Sequence, residues 1–301
     1  MRPTFIGIGA QKAGTTWIAA CLAEHPEICM SYEKELYFFN SSLVFVNEPR
    51  NWNKGRHWYE QQFAHCNRSE VRGEFCVLYL PDKEAAANIY NFYPDVKIIV
   101  SLRSPVQRAI SSFAHLKRMA VMHKDYPISP VHDDLFEASK LVPGIIEFGK
   151  YKTQLKRYLQ LFRREQIKIV IYEDIALHPV KFIQDIYLFL GVDPNFVPSN
   201  VNQKRNPRSI PRIKLIERGL HVGSKILSSL GMNGLVRWIK RKRIPDRIRI
   251  WNAKHDFIIL SAEQYMVLQQ LYKEDILFVE KLLGRTLDSW RYVLNTKFLK
   301  C

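Results

Sequence analysis

The sequence predicts an α/β fold, a three-layer sandwich in which helices cover a central, mainly parallel sheet. Three observations carry this expectation. Residues 4–8, 96–102 and 167–172 are apolar, β-branched runs of the kind that form strands buried on both faces. Each is followed by a helical segment, at 15–24, 105–119 and 179–190. The first run also enters a glycine-containing loop, residues 9–14, immediately ahead of its helix.

Each element has its own signal. Pro105 suits the first turn of a helix, because its missing N–H has no intrahelical partner there. The segment 179–190 ends at Gly191, placed as a left-handed cap. Residues 150–163 are amphipathic, and residues 262–283 read as one helix running into Gly284. Parallel sheets of this type bind ligands beyond the carboxyl ends of their strands. Two loops fall there, 9–15 and 103–111. The chain contains no internal repeat and reads as a single domain, 1–301, with a basic insertion or lid at 204–249.

The chain has 301 residues, of which 47% are hydrophobic, enough for a substantial core. Its 45 Lys and Arg against 29 Asp and Glu leave a net charge of +16. Such an excess points to an anionic partner. The window 204–249 holds fourteen basic and two acidic residues, twelve of those sixteen charges. Five cysteines, Cys21, Cys29, Cys66, Cys76 and Cys301, show no Cys-x-x-Cys spacing, so free thiols in a reducing compartment and no metal are expected. With neither a signal sequence nor an apolar run of membrane length, a cytoplasmic location is expected, the alternative being a Golgi enzyme whose anchor is missing from this sequence. The sequons at Asn40 and Asn67 then read as chance.

A glycine loop between a strand and a helix N-terminus holds phosphate through backbone N–H groups and the helix dipole. Gly9 and Gly14 have the spacing of a Walker A loop, but Thr15 stands where that motif requires lysine, and the lysine lies within the loop as Lys12. A nucleotide phosphate is therefore expected, but not ATP with magnesium. In the second loop Arg103 ends a strand and Ser111 lies two helical turns beyond Pro105. A guanidinium and a hydroxyl together suit a phosphate monoester; the competing reading is an Arg103 ion pair and a packed Ser111.

Taken together the two loops resemble the nucleotide signatures of the PAPS-dependent sulfotransferases. Gln11-Lys12-Ala13-Gly14-Thr15-Thr16-Trp17 resembles the family's 5′-phosphosulfate loop, and Leu102-Arg103-Ser104-Pro105-Val106-Gln107-Arg108-Ala109-Ile110-Ser111 its 3′-phosphate motif. Lys34-Glu35-Leu36-Tyr37-Phe38-Phe39 is similar to the Lys-Glu-Pro-His-Phe-Phe of carbohydrate and heparan-type members, with Leu36 and Tyr37 in place of the proline and histidine. Gly73-Glu74 to Tyr79, Ile171-Tyr172-Glu173-Asp174, Phe189-Leu190-Gly191 and the 284–290 tail extend the likeness over roughly 4–192 and 262–290.

The resemblance implies PAPS as sulfuryl donor and no metal. It implies that Lys12 stabilises charge on the departing 5′-phosphate. Gln11, Ala13, Gly14, Thr15, Thr16 and Trp17 complete that loop, Trp17 by ligand contact or by helix packing. Arg103 and Ser111 hold the 3′-phosphate, and Lys204 and Arg205 belong to a basic loop closing over the nucleotide. Glu35 matches the base that takes the acceptor's proton, the competing reading being a surface acid paired with Lys34. Glu74 is a supporting or alternate base and His115 a weaker candidate; His57 and His65 match no family position. Tyr151 lines the adenine pocket or packs in the core.

The resemblance further implies an acceptor that is a glycan or a small natural product, sulfated on a hydroxyl or an amine. The run 237–244 is a solvated face, a site for an anionic acceptor, or a patch touching an anionic membrane, and 222–235 is apolar enough for a lid or an interfacial segment. No nucleic-acid motif is present. Two other functions compete: a basic glycan- or membrane-binding protein on an inactive scaffold, and an ATP-dependent phosphotransferase, which lacks both the Walker lysine and an identifiable magnesium-binding carboxylate.

Overall fold

A computed structural model describes residues 1–42, 50–66, 71–122, 126–128, 133–203 and 260–291, with scattered positions between 210 and 254. Its centre is a five-stranded sheet built from β1 (Phe5–Gly9), β2 (Ile28–Met30), β3 (Val71–Phe75), β4 (Lys97–Leu102) and β5 (Ile167–Ile171), in the order β2-β3-β1-β4-β5. All four pairings are parallel. In register, Ile6 of β1 lies between Glu74 of β3 and Ile98 of β4.

The crossovers carry helices α1 (Thr15–Leu22), α2 (Gly55–Gln61), α3 (Ala85–Phe92) and α4 (Pro105–Met122). After α4 come α5 (Leu135–Leu141), α6 (Gly144–Glu147) and α7 (Tyr151–Leu161), and after β5 come α8 (Tyr172–Leu177) and α9 (Pro179–Leu190). The chain clusters into two compact units. The first comprises Met1–Ala109, Gly144–Arg205 and Leu260–Asn295, and holds the whole sheet. The second comprises Ile110–Pro143, Asn206–Ile259 and Thr296–Cys301. It includes an antiparallel pair, β6 (Ile210–Pro211) and β7 (Ala253–Lys254).

The first unit's core lies where α1 and α9 meet the sheet. Trp17, Ile18, Cys21 and Leu22 of α1 are buried with Phe182, Ile183, Ile186 and Leu190 of α9. Each large apolar side chain withdrawn from water in this way contributes about 1.5–3 kcal/mol. A second, aromatic cluster forms around Phe38, whose ring stacks on Tyr59 at 4.7 Å and meets Phe39 edge-on at 4.9 Å.

The three apolar runs are parallel strands, as expected, with β1 and β4 inside the sheet and β5 at one edge. Gly191 takes the left-handed cap at φ 83°. Two expectations are corrected. The stretch 262–283 is two helices, α10 (Ala262–Leu271) and α11 (Lys273–Leu283). A capping box of Ser261 and Gln264 starts α10. The break is at Tyr272, which leaves helical geometry so that its buried ring packs against Gly149, where a Cβ would meet it at 2.8 Å. The tail then forms α12 (Asp288–Arg291). Cys29 and Cys66 are joined in a disulfide, with Cα atoms 5.7 Å apart, while Cys21 and Cys76 are buried thiols. Two further strands were not anticipated: β2, Ile-Cys-Met, is only three residues long, and β3, Val-Arg-Gly-Glu-Phe, carries no apolar run. Asn40 is buried, which closes that sequon to modification in the folded chain.

Candidate active site

The glycine loop leaves β1 through an irregularity of register between Gly7 and Gly9. Lys12 and Gly14 both adopt left-handed backbone, at φ 68° and 78°. For lysine that conformation is strained, and such strain is held only where surroundings over-determine it. Here they do. The Ala10 N–H donates to the Ser101 carbonyl at 2.7 Å, and the Ser101 hydroxyl donates to the Ala13 carbonyl at 2.6 Å. Gly14 is required twice over, by its φ and by Tyr172, whose ring would lie 2.8 Å from a Cβ. Gly14, Thr15 and Thr16 then head α1, where a helix leaves its first N–H groups without intrahelical partners. An anion there meets both those donors and the positive end of the helix dipole.

Arg103 follows β4 and is tied to this loop. Its Nη1 donates to the Lys12 carbonyl at 3.3 Å, and its guanidinium lies over the Tyr172 ring at 4.6 Å. Its own carbonyl accepts from the Tyr151 hydroxyl at 2.9 Å. Tyr151 therefore follows its packing reading, fully buried with the hydroxyl used on backbone. The Ser104 N–H donates to Glu173 Oε1 at 3.0 Å, and Glu173 Oε2 accepts from Trp290 Nε1 at 3.0 Å, which fastens the tail to the second loop.

Arg108, on α4, is completely buried and donates through Nη2 to the carbonyls of Gly144 and Ile145. Among the described residues, Arg103 Nε and Arg108 Nε have no hydrogen-bond partner. A buried guanidinium donor left unpaired is costly. Arg108 follows Arg103 in an Arg-Ser-Pro-x-x-Arg spacing.

Glu35 lies beside the same loop. Its Oε2 accepts from the Val77 N–H at 3.0 Å, and its Oε1 pairs with Lys34 Nζ at 2.8 Å. The turn carrying Val77 hangs from the end of β1: the Cys76 N–H donates to Gly7 at 2.9 Å and the Leu80 N–H to Ile8 at 2.9 Å. A side chain at Gly9 would meet the Val77 carbonyl at 3.3 Å. Glu35 is thus no solvated surface acid, although it does pair with Lys34.

Glu74 is fully buried behind it. Burial pushes its carboxyl up to about 7, against the hydrogen bonds it accepts from the Tyr79 hydroxyl at 2.7 Å and the Leu36 N–H at 3.4 Å.

The Trp17 indole is buried against Phe182 and donates to the Val201 carbonyl at 3.2 Å, the packing alternative. Ser111 and His115 lie on α4 in the second unit, Ser111 buried and His115 Nδ1 within 3.1 Å of Arg118 Nη2. Lys204 and Arg205 fall outside the described residues, as does the run 237–238 and 240–244. Cys29, His65 and Cys66 bring ligand-type atoms within 4.8 Å of one another, a cluster that sequence spacing concealed. The disulfide engages both of its sulfurs.

Comparison with known proteins decides the family. A family model described as Sulfotransferase domain matches residues 2–210. The chain belongs to the sulfotransferase family. Members of this family use PAPS as sulfuryl donor, and an anionic nucleotide suits the donors gathered at Lys12, Gly14 and Arg103. The match ends where most of the basic window begins.

Among curated relatives, the bifunctional heparan sulfate N-deacetylase/N-sulfotransferase 1 of Caenorhabditis briggsae is 28% identical over 209 residues, covering 64% of this chain and 23% of the relative. The heparan sulfate glucosamine 3-O-sulfotransferase 5 of Homo sapiens is 25% identical over 209 residues, covering 66% and 56%. The chain therefore spans less than a quarter of the first sulfotransferase and little over half of the second. A solved sulfotransferase from Alicyclobacillus acidocaldarius has the same fold, with a TM-score of 0.66, 25% identity and coverage of 97% of this chain and 100% of that one. No helix among the described residues is long and apolar enough to cross a membrane.

Proposed function

We propose that this chain transfers a sulfuryl group from PAPS, directly and in line, to a hydroxyl or amine of a carbohydrate acceptor. The observation that carries the reading is the Arg103–Lys12 hydrogen bond, which joins two anion-binding elements into one support. A nucleotide with a charged group at each end suits that arrangement.

In this reading Lys12 and the N–H groups of Gly14, Thr15 and Thr16 hold the 5′-phosphosulfate, and Arg103 holds the 3′-phosphate. PAPS supplies a sulfuryl group whose transfer leaves PAP. Glu35 takes the proton from the attacking hydroxyl or amine, and Lys12 meets the charge left on the departing 5′-phosphate. The heparan sulfate relatives favour a carbohydrate acceptor. The disulfide favours an oxidising compartment over the cytoplasm. The full-length match to the bacterial sulfotransferase favours reading both units as one domain.

The test is PAP release from PAPS in the presence of heparan-type oligosaccharides with free or N-sulfated glucosamines. Lys12→Ala and Arg103→Ala should each abolish release, and turnover retained in both sinks the assignment. Glu35→Gln should lower kcat by roughly 10²–10⁴-fold, the usual contribution of a positioned base. Ser111→Ala tests the remaining assignment in the second loop and should weaken PAP binding.

A further inference from the structure

We propose that Glu74, Tyr79 and Asn51 form a clamp that positions Glu35 for proton transfer, acting through the backbone of residues 35–38 and not on the acceptor. The proposal rests on the reading of Glu35 as the base. Residues 35–38 belong to no helix or strand, so their backbone groups must find partners outside a regular ladder.

Four of those groups are satisfied from other parts of the chain. The Leu36 N–H donates to Glu74 Oε2 at 3.4 Å, and the Phe38 N–H donates to the Tyr79 hydroxyl oxygen at 3.0 Å. Asn51 Nδ2 donates to the Leu36 carbonyl at 2.7 Å, and the Asn51 N–H donates to the Tyr37 carbonyl at 3.0 Å. Tyr79 completes the clamp by donating its proton to Glu74 Oε1 at 2.7 Å.

All three clamp residues are buried, Glu74 and Tyr79 completely. Between the two fixed N–H groups Tyr37 adopts φ 47°, a left-handed conformation that an unsupported tyrosine avoids. The clamp overcomes that preference and delivers the Glu35 carboxylate to Val77 at the mouth of the glycine loop. It also gives the Gly-Glu-x-x-x-x-Tyr spacing of 73–79 a physical purpose. Glu74 stands on β3 and Tyr79 in the turn after it, and the two side chains meet each other as well as the segment they hold.

Tyr79→Phe removes a single oxygen and Glu74→Gln keeps the shape. Steady-state kinetics of both, alone and combined with Glu35→Gln, test the clamp, with PAP thermal shift and amide hydrogen exchange of residues 34–39 as companions. Each substitution should lower kcat by about 10–100-fold, the scale of a small misplacement of a catalytic group. The PAP thermal shift should stay unchanged and exchange at 36 and 38 should quicken. In the Glu35→Gln background Tyr79→Phe should cost little more, because the group it positions is gone. The proposal is overturned if kcat stays within about two-fold of wild type, if the two effects simply multiply, or if PAP binding falls in parallel with kcat. A wild-type protein that turns over while Glu35→Gln matches it removes the base and the clamp's purpose together. Absence of wild-type turnover instead removes the proposed function itself.

Discussion

Arg103 Nη1 donates to the Lys12 carbonyl while the same guanidinium covers the Tyr172 ring, so the end of β4 holds the glycine loop in its left-handed form. A lysine at this position can neither fork between a carbonyl and an anion nor lie flat on an aromatic ring. Arg103→Lys should therefore keep the fold and weaken PAP binding by about 1–3 kcal/mol, the worth of a charge-assisted hydrogen bond together with a cation–π contact. Isothermal titration with PAP reads this directly. An affinity equal to wild type would show that the guanidinium geometry is irrelevant.

Gly14 offers a sharper test of loop geometry. Any side chain there meets both a φ of 78° and the Tyr172 ring at 2.8 Å. Gly14→Ala should lower stability by at least about 1–3 kcal/mol, the cost of a residue forced into a sparsely populated backbone region, and PAP binding should fall with it. Thermal melts with and without PAP separate the two losses. Truncating Tyr172 should relieve the closest clash but not the backbone cost, so Gly14→Ala with Tyr172→Ala recovers only part of the stability.

What was legible in the sequence follows from burial. The strands at β1, β4 and β5 are apolar because they lie in the middle of the sheet or under helices, and such runs announce themselves. Strand β3 reads Val-Arg-Gly-Glu-Phe because it carries the buried Glu74, and because Gly73 must admit the Phe5 ring, which would lie 2.5 Å from a Cβ. A strand given over to a polar task loses the pattern that identifies strands. Lys12, Arg103 and Glu35 stand in local motifs, which is why the sequence alone offers them as candidates. Asn51 meets Leu36 only through the fold, and Cys29 finds Cys66 across 37 residues with no spacing to signal it.

Glu74 links the site to pH. Its carboxyl is pushed from 4.5 up to about 7 by burial, so the folded chain binds a proton more tightly than the unfolded one. The stability this brings is fully present below pH 4.5 and is lost as pH rises through 7. Relative to Glu74→Gln, which cannot ionise, wild-type stability should fall by about 3 kcal/mol between pH 4.5 and pH 8. Urea unfolding of both proteins across that range measures the difference. Parallel curves would mean that Glu74 titrates as it does in the unfolded chain.

The disulfide joins β2, an edge strand, to the segment after α2. Closing a loop of this length restricts the unfolded chain by about 4 kcal/mol in the chain-entropy account. That is a large share of the roughly 5–15 kcal/mol that keeps an ordinary domain folded. Reduction with a phosphine, or the paired substitution Cys29→Ser with Cys66→Ser, should lower Tm by about 10 °C. Two strands separate the bond from the Arg103 end of the sheet, since β3 and β1 lie between β2 and β4. PAP affinity, measured well below the lowered Tm, should therefore survive reduction, and the buried thiols of Cys21 and Cys76 should stay unreactive until the chain unfolds. An unchanged Tm on reduction would show that the two sulfurs are not bonded in the protein as isolated, and loss of PAP binding in the still-folded reduced chain would show that the sheet edge is coupled to the nucleotide loop.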